Sequence, residues 1–511
     1  MNTFGEVSCE EEIELFGDRY PQYFFQEAPF NEPAIERDVY LIVGRRGAGK
    51  SSLAHYFGFQ ERIAQATLID VDEPRFYQAS MLKISHLCGA EQNADLSVGR
   101  MVDVWTLGIW SLLFSRYYDL HEDVANASLI VGRVGKTSIR DVLGKLFEAL
   151  LGKLDKSGEL SRTLQEVLQH ETVAKAQQHI LEQSKKKPIF IAIDTIERYD
   201  ASDHSLMVAT AALVQASFWM NRRYAKHGIH LKTFIPSEIF PTLKERYSVN
   251  SSKYVQDEVY MHWRPKALVR LVCWRLYRNL LAQSSPLTSE LKLVEWDKFE
   301  SVLKHAWQPH FGRFVVNRAN VREQSLVYLL RHTQMRPRQL VILCNEIAKR
   351  SRANGTFPTF PEDIIVSSVW ATETKLATEV INSYEGTYQA VSQIIDALKG
   401  CPARFRGKLL DKLAPSTASQ WPADQYSPAS FRRLAAELGV VGRVRSVSKS
   451  EKVIEANFEY AVEDRLALHE RDDCVIHPMF YKKLSVDLSE LGMRVFPFPD
   501  HEDFVELVNG G

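Results

Sequence analysis

The chain has 511 residues, of which 45% are hydrophobic and 25% are charged. At roughly 150 residues per domain this length predicts about three domains, and the balance excludes a disordered chain, a collagen-like chain and a small disulfide scaffold. The 63 basic and 64 acidic side chains give a net charge of −1, which excludes a uniformly basic nucleic-acid coat but leaves room for a local basic patch.

Neither a membrane span nor a secretory signal is predicted. No apolar run reaches the roughly 18 residues that a membrane span needs, and the acidic N-terminus lacks the basic-then-apolar pattern of a signal peptide. The six cysteines include no CxxC pair, and four of them lie in apolar stretches. We therefore expect reduced thiols in a cytoplasmic protein without membrane contact. A zinc site built from distant cysteine and histidine side chains is an open alternative.

The first half of the chain alternates between apolar runs and helical patterns. Residues 1–37 predict an acidic helix and an irregular lead-in, and residues 38–262 predict a core. Buried strands are predicted at 39–43, 66–71, 188–193 and 229–235, with 254–261 as a fifth candidate. Strands that alternate with helices predict an α/β fold with a parallel sheet.

Two further changes of pattern follow. Helices dominate residues 263–376, which we predict to be a helical domain. Residues 377–490 combine two or three helices with an alternating β segment at 441–460, and residues 491–511 form a tail. Neither an internal repeat nor a low-complexity tract interrupts this order.

The segment Gly44–Ser51, GRRGAGKS, fits the phosphate-loop pattern GxxxxGK[ST] at every fixed position. Glycines let successive N–H groups point at phosphate oxygens, and the positive end of the following helix faces the same anion. Lys50 is expected to reach the β- and γ-phosphates as a catalytic cation, and the Ser51 hydroxyl to bind Mg²⁺. The predicted ATP-binding residues are Gly44, Arg45, Arg46, Gly47, Ala48, Gly49, Lys50, Ser51 and Ser52. A glycine-rich turn that binds nothing is the alternative.

A second glycine-rich segment at 132–137, GRVGKT, resembles the phosphate loop only in part. Its lysine would need a glycine six residues earlier, and that position holds Ile130. We therefore predict a loop that leads into the helix at Ser138.

Acidic residues follow the apolar run at 188–193. Asp194 ends this predicted strand, where a carboxylate can hold Mg²⁺ through water. Glu197 follows three residues later and is the candidate general base for the attacking water. The run at 229–235 leads to Ser237 and Glu238, the candidate sensors of the γ-phosphate. The alternatives are a capped strand end for the first pair and a polar helix cap for the second.

Two arginines flank the start of the predicted helix at 337–350. Arg336 and Arg338 are cations at a helix N-terminus, where each opposes the helix dipole by about 0.3–1 kcal/mol. A nucleotide phosphate nearby would relieve this cost, so both are candidate ATP contacts. Solvation, or pairing with surface carboxylates, is the alternative.

The region after residue 399 carries an uneven charge. Residues 399–452 hold 11 basic and four acidic side chains, whereas residues 453–490 hold four basic and nine acidic ones. Ser427 and Pro428 predict the start of a helix that stops at Gly439, and a half-buried β segment follows. The order of a helix and then a hairpin is that of a recognition helix and its wing. The candidate DNA-contacting residues are Arg432, Arg433, Arg443 and Arg445, and a protein-docking surface is the alternative.

These motifs together resemble STAND-type, AAA+-related P-loop ATPases over about residues 15–490. The segments that carry the resemblance are GRRGAGKSS, IAIDTIER and MRPRQLVILCNEI. The last is similar to the arginine-containing lid motif of origin-recognition-like AAA+ proteins. GVVGRV, ANFEYA and VIHPMFYKKL resemble the C-terminal winged helix of many bacterial proteins of this group, which often occur in phage-defence loci.

The resemblance implies a P-loop NTPase core with a helical lid domain and a C-terminal winged-helix domain. It implies ATP at residues 44–52, magnesium at Ser51 and Asp194, Glu197 as the catalytic carboxylate, and Arg336 or Arg338 facing the nucleotide. Relatives often carry a basic residue near the end of the sensor strand. The sequence here is Pro236-Ser237-Glu238, which departs from that pattern.

Two functions fit this sequence. The first is an ATP-driven switch or motor on nucleic acid, serving anti-phage defence with an effector protein and assembling as a nucleotide-controlled homo-oligomer. The second is an ATP-bound regulatory scaffold that docks a partner protein through its helical or winged-helix domain. The candidate base Glu197 favours the first. A metabolite kinase is disfavoured by the acidic pair and the winged helix.

Overall fold

The computed structural model describes most of the chain and divides it into two units. The described residues are 2–59, 66–71, 83–86, 94–132, 134–157, 164, 166–194, 203–247, 254, 258–286, 288–422, 425–461, 466–489 and 492–498. One unit comprises residues 30–262, called here the sheet unit. The other joins residues 1–29 to residues 263–511 and is called the split unit.

Helices fall in both units. In residues 1–29 they are α1 (Cys9–Phe16) and α2 (Tyr20–Tyr23). In the sheet unit they are α3 (Asn31–Ile35), α4 (Lys50–Tyr56), α5 (Ala94–Arg116), α6 (Glu122–Gly132), α7 (Ile139–Ser157), α8 (Glu171–Lys186), α9 (His204–Tyr224) and α10 (Phe240–Arg246). From residue 263 they are α11 (Pro265–Ala282), α12 (Thr288–Leu291), α13 (Phe299–Val302), α14 (Gln308–Phe311), α15 (Ser325–Arg331), α16 (Pro337–Ala353), α17 (Glu362–Asn382), α18 (Val391–Ile395), α19 (Lys408–Leu413) and α20 (Pro428–Glu437).

The sheet unit is an α/β structure around a five-stranded sheet. Its strands are β1 (Leu41–Gly44), β2 (Thr67–Val71), β3 (Ile189–Asp194), β4 (Ile229–Pro236) and β5 (Val259–Tyr260). They lie in the order β2-β3-β4-β1-β5, and every neighbouring pair is parallel. The predicted parallel sheet is therefore confirmed, and its order is compatible with a P-loop-like fold.

The strands form where the sequence is apolar without alternation. Ile189–Ile193 of β3 are all buried, as are Leu41–Gly44 of β1. Strands covered by helices on both faces bury successive side chains, which is why these runs show no polar positions. The long helix α9 packs on the same core and buries most of its length. Because β1, β3 and β4 are parallel, their carboxyl ends lie at the same edge of the sheet.

One charged side chain is fully buried in this sheet. Lys232 of β4 has no exposed surface, and its Nζ donates hydrogen bonds to the backbone carbonyls of Glu36, at 2.6 Å, and Val39, at 2.5 Å. Burial lowers the pKa of Lys232 to about 7 because the charged form loses its hydration. The lead-in to β1 is thus fastened to β4 by a lysine.

The split unit contains a hairpin and a second five-stranded sheet. The hairpin pairs β6 (Phe314–Val316) with β7 (Arg322–Gln324) in antiparallel fashion. The sheet comprises β8 (Arg404–Arg406), β9 (Val441–Ser448), β10 (Val453–Asn457), β11 (Asp473–Ile476) and β12 (Arg494–Phe496). Its order is β12-β10-β9-β11-β8, so β11 lies between the β9–β10 hairpin and β8. The sequence analysis did not find β6, β7, β8, β11 or β12.

Helix α20 begins and ends as predicted. The Ser427 hydroxyl accepts a hydrogen bond from the Ser430 N–H at 3.0 Å, and Gly439 follows with φ 65°. Phe431 and Leu434 are fully buried, as their helical spacing predicts. The β9–β10 hairpin follows directly. The predicted order of a helix and then a hairpin is therefore present in a sheet larger than those two strands.

The first residues of the chain pack on helices of the split unit. The backbone N–H of Phe4 donates to Asn345 Oδ1, and Asn345 Nδ2 donates to the carbonyl of Gly5, each at 2.9 Å. Glu12 is buried and forms an ion pair with Arg275 of α11. Residues 1–29 are thus part of a folded unit whose other residues begin at 263.

Among the described residues, no helix combines the length and the apolar character that crossing a membrane requires. The five cysteines within the described ranges are free thiols, and four of them are buried. Cys88 lies outside those ranges.

Candidate functional site

The segment Gly44–Lys50 forms a tight loop between β1 and α4. Gly47 and Gly49 have φ values of 77° and 97°, which lie in the region that side chains disfavour. The N–H of Ala48 donates to the carbonyl of Arg45 at 3.1 Å, and the carbonyl of Gly49 accepts the first helical hydrogen bond, from Leu53, at 2.9 Å. The pattern's glycines therefore fall where the turn requires them.

Gly44 lies at a crowded point where β1 ends. Its carbonyl accepts a hydrogen bond from the Ser237 N–H at 3.2 Å, which joins the loop to the residue after β4. A Cβ on Gly44 would lie 3.0 Å from the Met261 sulfur and 3.3 Å from Cγ of Lys50. A larger residue at position 44 would therefore displace the lysine that the loop presents.

Lys50 is the first residue of α4 and is half-buried. Its Nζ donates to the carbonyl oxygens of Gly44, at 3.2 Å, and Arg45, at 3.4 Å. Both partners are neutral carbonyl groups, which hold the side chain beside the loop without cancelling a cation's charge. A cation at the N-terminal end of a helix adds to the positive dipole there and favours an anion.

The two predicted magnesium ligands lie in contact. The Ser51 hydroxyl donates a hydrogen bond to Asp194 Oδ2 at 3.2 Å. Ser51 is at the start of α4 and Asp194 is the last residue of β3, and β4 lies between β3 and the strand that precedes the loop. The parallel order of the strands brings a hydroxyl and a carboxylate together although 143 residues separate them along the chain.

Glu238 also contacts the loop. Its Oε1 accepts a hydrogen bond from the backbone N–H of Arg46 at 3.1 Å. Glu238 is a candidate sensor on sequence grounds, but this contact could not be predicted, because its donor is a backbone group and any residue type supplies one. Glu238 therefore holds one of the loop's own N–H groups.

Three further predictions concern Ser52, Glu197 and the second glycine-rich segment. Ser52 lies in the first turn of α4. Glu197 lies outside the described residues, so its role as a base rests on the sequence. Gly132 is the last residue of α6 and Arg133 lies outside the described residues, but residues 134–138 form the predicted loop before α7. Lys136 in this loop pairs with Asp119 on the surface.

Arg336 and Arg338 lie in the split unit, at the start of α16. Arg336 is buried, and its Nη2 donates to Gln334 Oε1 at 3.0 Å. Arg338 is partly exposed and lies 3.8 Å from a carboxylate oxygen of Glu379. Pairing with a carboxylate was the stated alternative for these arginines, and Arg338 has that partner.

Three of the four candidate DNA-contacting arginines have carboxylate partners within the split unit. Arg432 pairs with Asp411. Arg433 lies 3.7 Å from Glu437, one helical turn away.

Arg445 pairs with Glu455 at 2.6 Å. Within the described part of the chain, Arg443 has no carboxylate partner. Glu455 itself is buried on β10, although its place between the apolar Ile454 and Ala456 of an alternating segment predicts an exposed side chain. That prediction is wrong, because the side chain is enclosed and also accepts a hydrogen bond from Ser446 at 2.7 Å.

No model of a known protein family matches this chain, and no match to a curated protein was found. Function is therefore inferred from the geometry of the loop and from the contact between Ser51 and Asp194.

Proposed function

We propose that this protein binds ATP at residues 44–52 with Mg²⁺ at Ser51 and Asp194, and hydrolyses it. The observation that carries the proposal is the 3.2 Å contact between the Ser51 hydroxyl and Asp194 Oδ2. A hydroxyl at the start of the loop helix and a carboxylate at a strand end are the two groups with which P-loop ATPases hold magnesium. A glycine-rich turn without a ligand would not require an aspartate beside its serine.

The remaining groups suit a triphosphate. Backbone N–H groups of a loop with left-handed glycines make an anion-binding concavity, and the helix α4 adds its positive end. Lys50 supplies the side-chain cation, which can exchange its carbonyl partners for phosphate oxygens. Bound Mg²⁺ would neutralise charge that develops on the β- and γ-phosphates.

In this proposal Glu197 accepts the proton of the attacking water. In the sequence it follows Asp194, the last residue of β3, by three residues, which is the spacing on which this role rests. β3 does not neighbour β1. An acidic pair that belongs to a strand separated from β1 resembles the arrangement in those P-loop NTPases that hydrolyse with a glutamate.

We propose further that hydrolysis drives a switch or motor on nucleic acid. The support is the resemblance to STAND-type, AAA+-related ATPases, with α11–α17 in the place of the lid and α20 with the β9–β10 hairpin in that of the winged helix. A role in anti-phage defence, an effector partner and a homo-oligomer belong to the same proposal. Of the four candidate arginines, Arg443 is the one for which the described residues show no carboxylate partner, so it is the one we propose to meet a phosphate.

A second function is favoured by the paired arginines. Because Arg338, Arg432 and Arg445 already contact carboxylates, much of the positive charge in their segments is neutralised within the split unit. A surface of that kind suits a protein partner better than a polyanion. The second candidate is therefore an ATP-bound scaffold that docks a partner protein and turns over slowly.

The deciding experiment is the rate of ATP hydrolysis with Mg²⁺, measured alone, with duplex DNA and with single-stranded DNA. Hydrolysis that is stimulated by either DNA supports the nucleic-acid function. Hydrolysis without stimulation or DNA binding supports the scaffold. The absence of ATP binding by the folded protein would overturn both.

A further inference from the structure

A cluster of two histidines and one aspartate joins two helices of the sheet unit. His121 directly precedes α6, Asp123 is in its first turn, and His179 lies on α8. One possible ligand atom of each residue lies within 4.8 Å of those of the other two. All three side chains are partly exposed, so an ion could enter from solvent.

The distances within this cluster suit a transition-metal ion. Asp123 Oδ2 lies 3.2 Å from His121 Nδ1 and also 3.2 Å from His179 Nε2. Ligands at roughly 2.0–2.1 Å from a tetrahedral zinc ion are about 3.3 Å from one another. Both distances are therefore close to an edge of such a tetrahedron. To bind the ion, His121 Nδ1 would exchange the Asp123 N–H, which now occupies its one lone pair, for the metal. Rotation of the exposed His121 ring can close the third edge.

Hydrogen bonding alone does not account for all of these contacts. His121 Nδ1 accepts a hydrogen bond from the Asp123 N–H at 3.1 Å, so it carries a lone pair. The same nitrogen faces a carboxylate oxygen, which is also an acceptor, and the two imidazole rings stack at 3.8 Å. A bound cation would stabilise acceptor atoms that face one another in this way.

A lysine close to the cluster is already paired with another carboxylate. Lys175 lies one turn before His179 on α8, and its Nζ contacts Glu171 at 2.7 Å. The cluster itself carries one carboxylate and two imidazoles that can be neutral, which is a common donor set for zinc-class ions.

We propose that His121, Asp123 and His179 bind a divalent transition-metal ion of the zinc class. Three protein ligands leave one coordination position open to water or to a further donor, unlike a closed structural site. The ion would fasten the start of α6 to α8. This proposal is independent of the proposed ATP site, because its residues and its probe are different.

The test uses the full-length protein, stripped of metal with a chelator and kept free of nucleotide. Zn²⁺ is titrated by calorimetry into the wild type, His179→Ala and Asp123→Asn. We expect the wild type to bind one more equivalent than either variant. The visible spectrum of Co²⁺ should show a ligand-field band in the wild type that both variants lack.

His170→Ala is the matched control. His170 caps α8 in the way that His121 caps α6, with its Nδ1 accepting from the Thr172 N–H at 3.3 Å, and it is not part of the cluster. This variant should bind zinc as the wild type does. If His179→Ala fails to fold, Asp123→Asn carries the test because the amide keeps the shape and the backbone donor.

Equal zinc stoichiometry in the wild type and in the folded site variants would overturn the proposal. The cluster would then be a hydrogen-bonded helix cap, with His179 donating to Asp123.

Discussion

The two units hold their enclosed cations in different ways. In the sheet unit, Lys50 and Lys232 donate to backbone carbonyl groups. In the split unit, Arg275, Arg331 and Arg445 pair with the buried carboxylates of Glu12, Glu323 and Glu455. Carbonyl groups fix a cation in place without cancelling its charge, whereas carboxylates do both. The charges of Lys50 and Lys232 are thus not cancelled by these partners, whereas those of Arg275, Arg331 and Arg445 are cancelled by theirs. Arg336 of the split unit, which donates to Gln334, is an exception.

The largest effect is expected at Lys50. Lys50→Ala removes the side-chain cation of the phosphate loop and should abolish ATP binding or nearly so, as measured by calorimetry on protein with an unchanged circular dichroism spectrum. Lys136→Ala is the control, since Lys136 belongs to the look-alike segment and pairs with Asp119. Tight ATP binding by Lys50→Ala would contradict the site assignment.

Glu197→Gln should leave ATP bound and slow hydrolysis by roughly 10²-fold or more, because the amide can orient water but cannot accept its proton. Single-turnover hydrolysis separates this effect from binding. An unchanged rate would exclude Glu197 as the base and make Glu238, which contacts the loop, the next candidate.

In the split unit, the expected loss is one of stability. Arg445→Ala leaves the buried Glu455 without its cation and should lower the free energy of unfolding by about 1–3 kcal/mol. Arg433→Ala removes an exposed arginine from a pair one helical turn apart, whose N···O distance is 3.7 Å, and should cost about 0.3–0.5 kcal/mol. Urea denaturation of both variants measures the contrast. Equal losses of unfolding free energy in the two variants would show that the burial of Glu455 does not determine the cost of losing its arginine.

The titration of Lys232 gives a pH-dependent test of the sheet unit. Its folded pKa of about 7 lies below that of the unfolded chain, so between about pH 7 and 10 the unfolded state binds more protons and stability rises with pH. From pH 7 to pH 9 the gain is about 2 kcal/mol. Lys232→Met, which does not titrate, should lack this rise relative to the wild type. Parallel pH profiles of the two proteins would contradict a buried, titrating lysine.

The smallest effect is expected at Arg443. Arg443→Glu should reduce the slope of log affinity against log salt by about 0.9 if this side chain meets a DNA phosphate. Arg432 and Arg445 should contribute little to that slope, because Asp411 and Glu455 hold them. DNA binding at several salt concentrations measures it. If the wild type shows no salt-dependent DNA binding, the result would favour the scaffold that docks a partner protein.

The sheet unit could be predicted from sequence more fully than the split unit. The strands and the phosphate loop are encoded locally, by apolar runs and by glycines at fixed spacing, so their positions were predicted closely. The partners of Arg432 and Arg445 were not, because they depend on residues brought together by folding. Strands of three or four residues, such as β8 and β12, are too short to show alternation.

The His121–Asp123–His179 cluster was also beyond sequence reasoning. His121 and Asp123 are two residues apart, but His179 is on another helix more than fifty residues later. Only the packing of α6 against α8 brings it near. The Glu238–Arg46 contact was hidden for a related reason, since its donor is a backbone group.

The division of the chain between the units has a consequence for its synthesis on the ribosome. Residues 1–29 are made first, but the residues they pack on begin at 263. At roughly 5–20 residues per second, the intervening chain takes about 12–47 s to translate. During that interval Phe4 and Glu12 have none of the partners that later bury them, while the sheet unit can already fold. Residues 1–29 therefore wait for these partners through much of translation, and a pause after residue 262 would lengthen the wait.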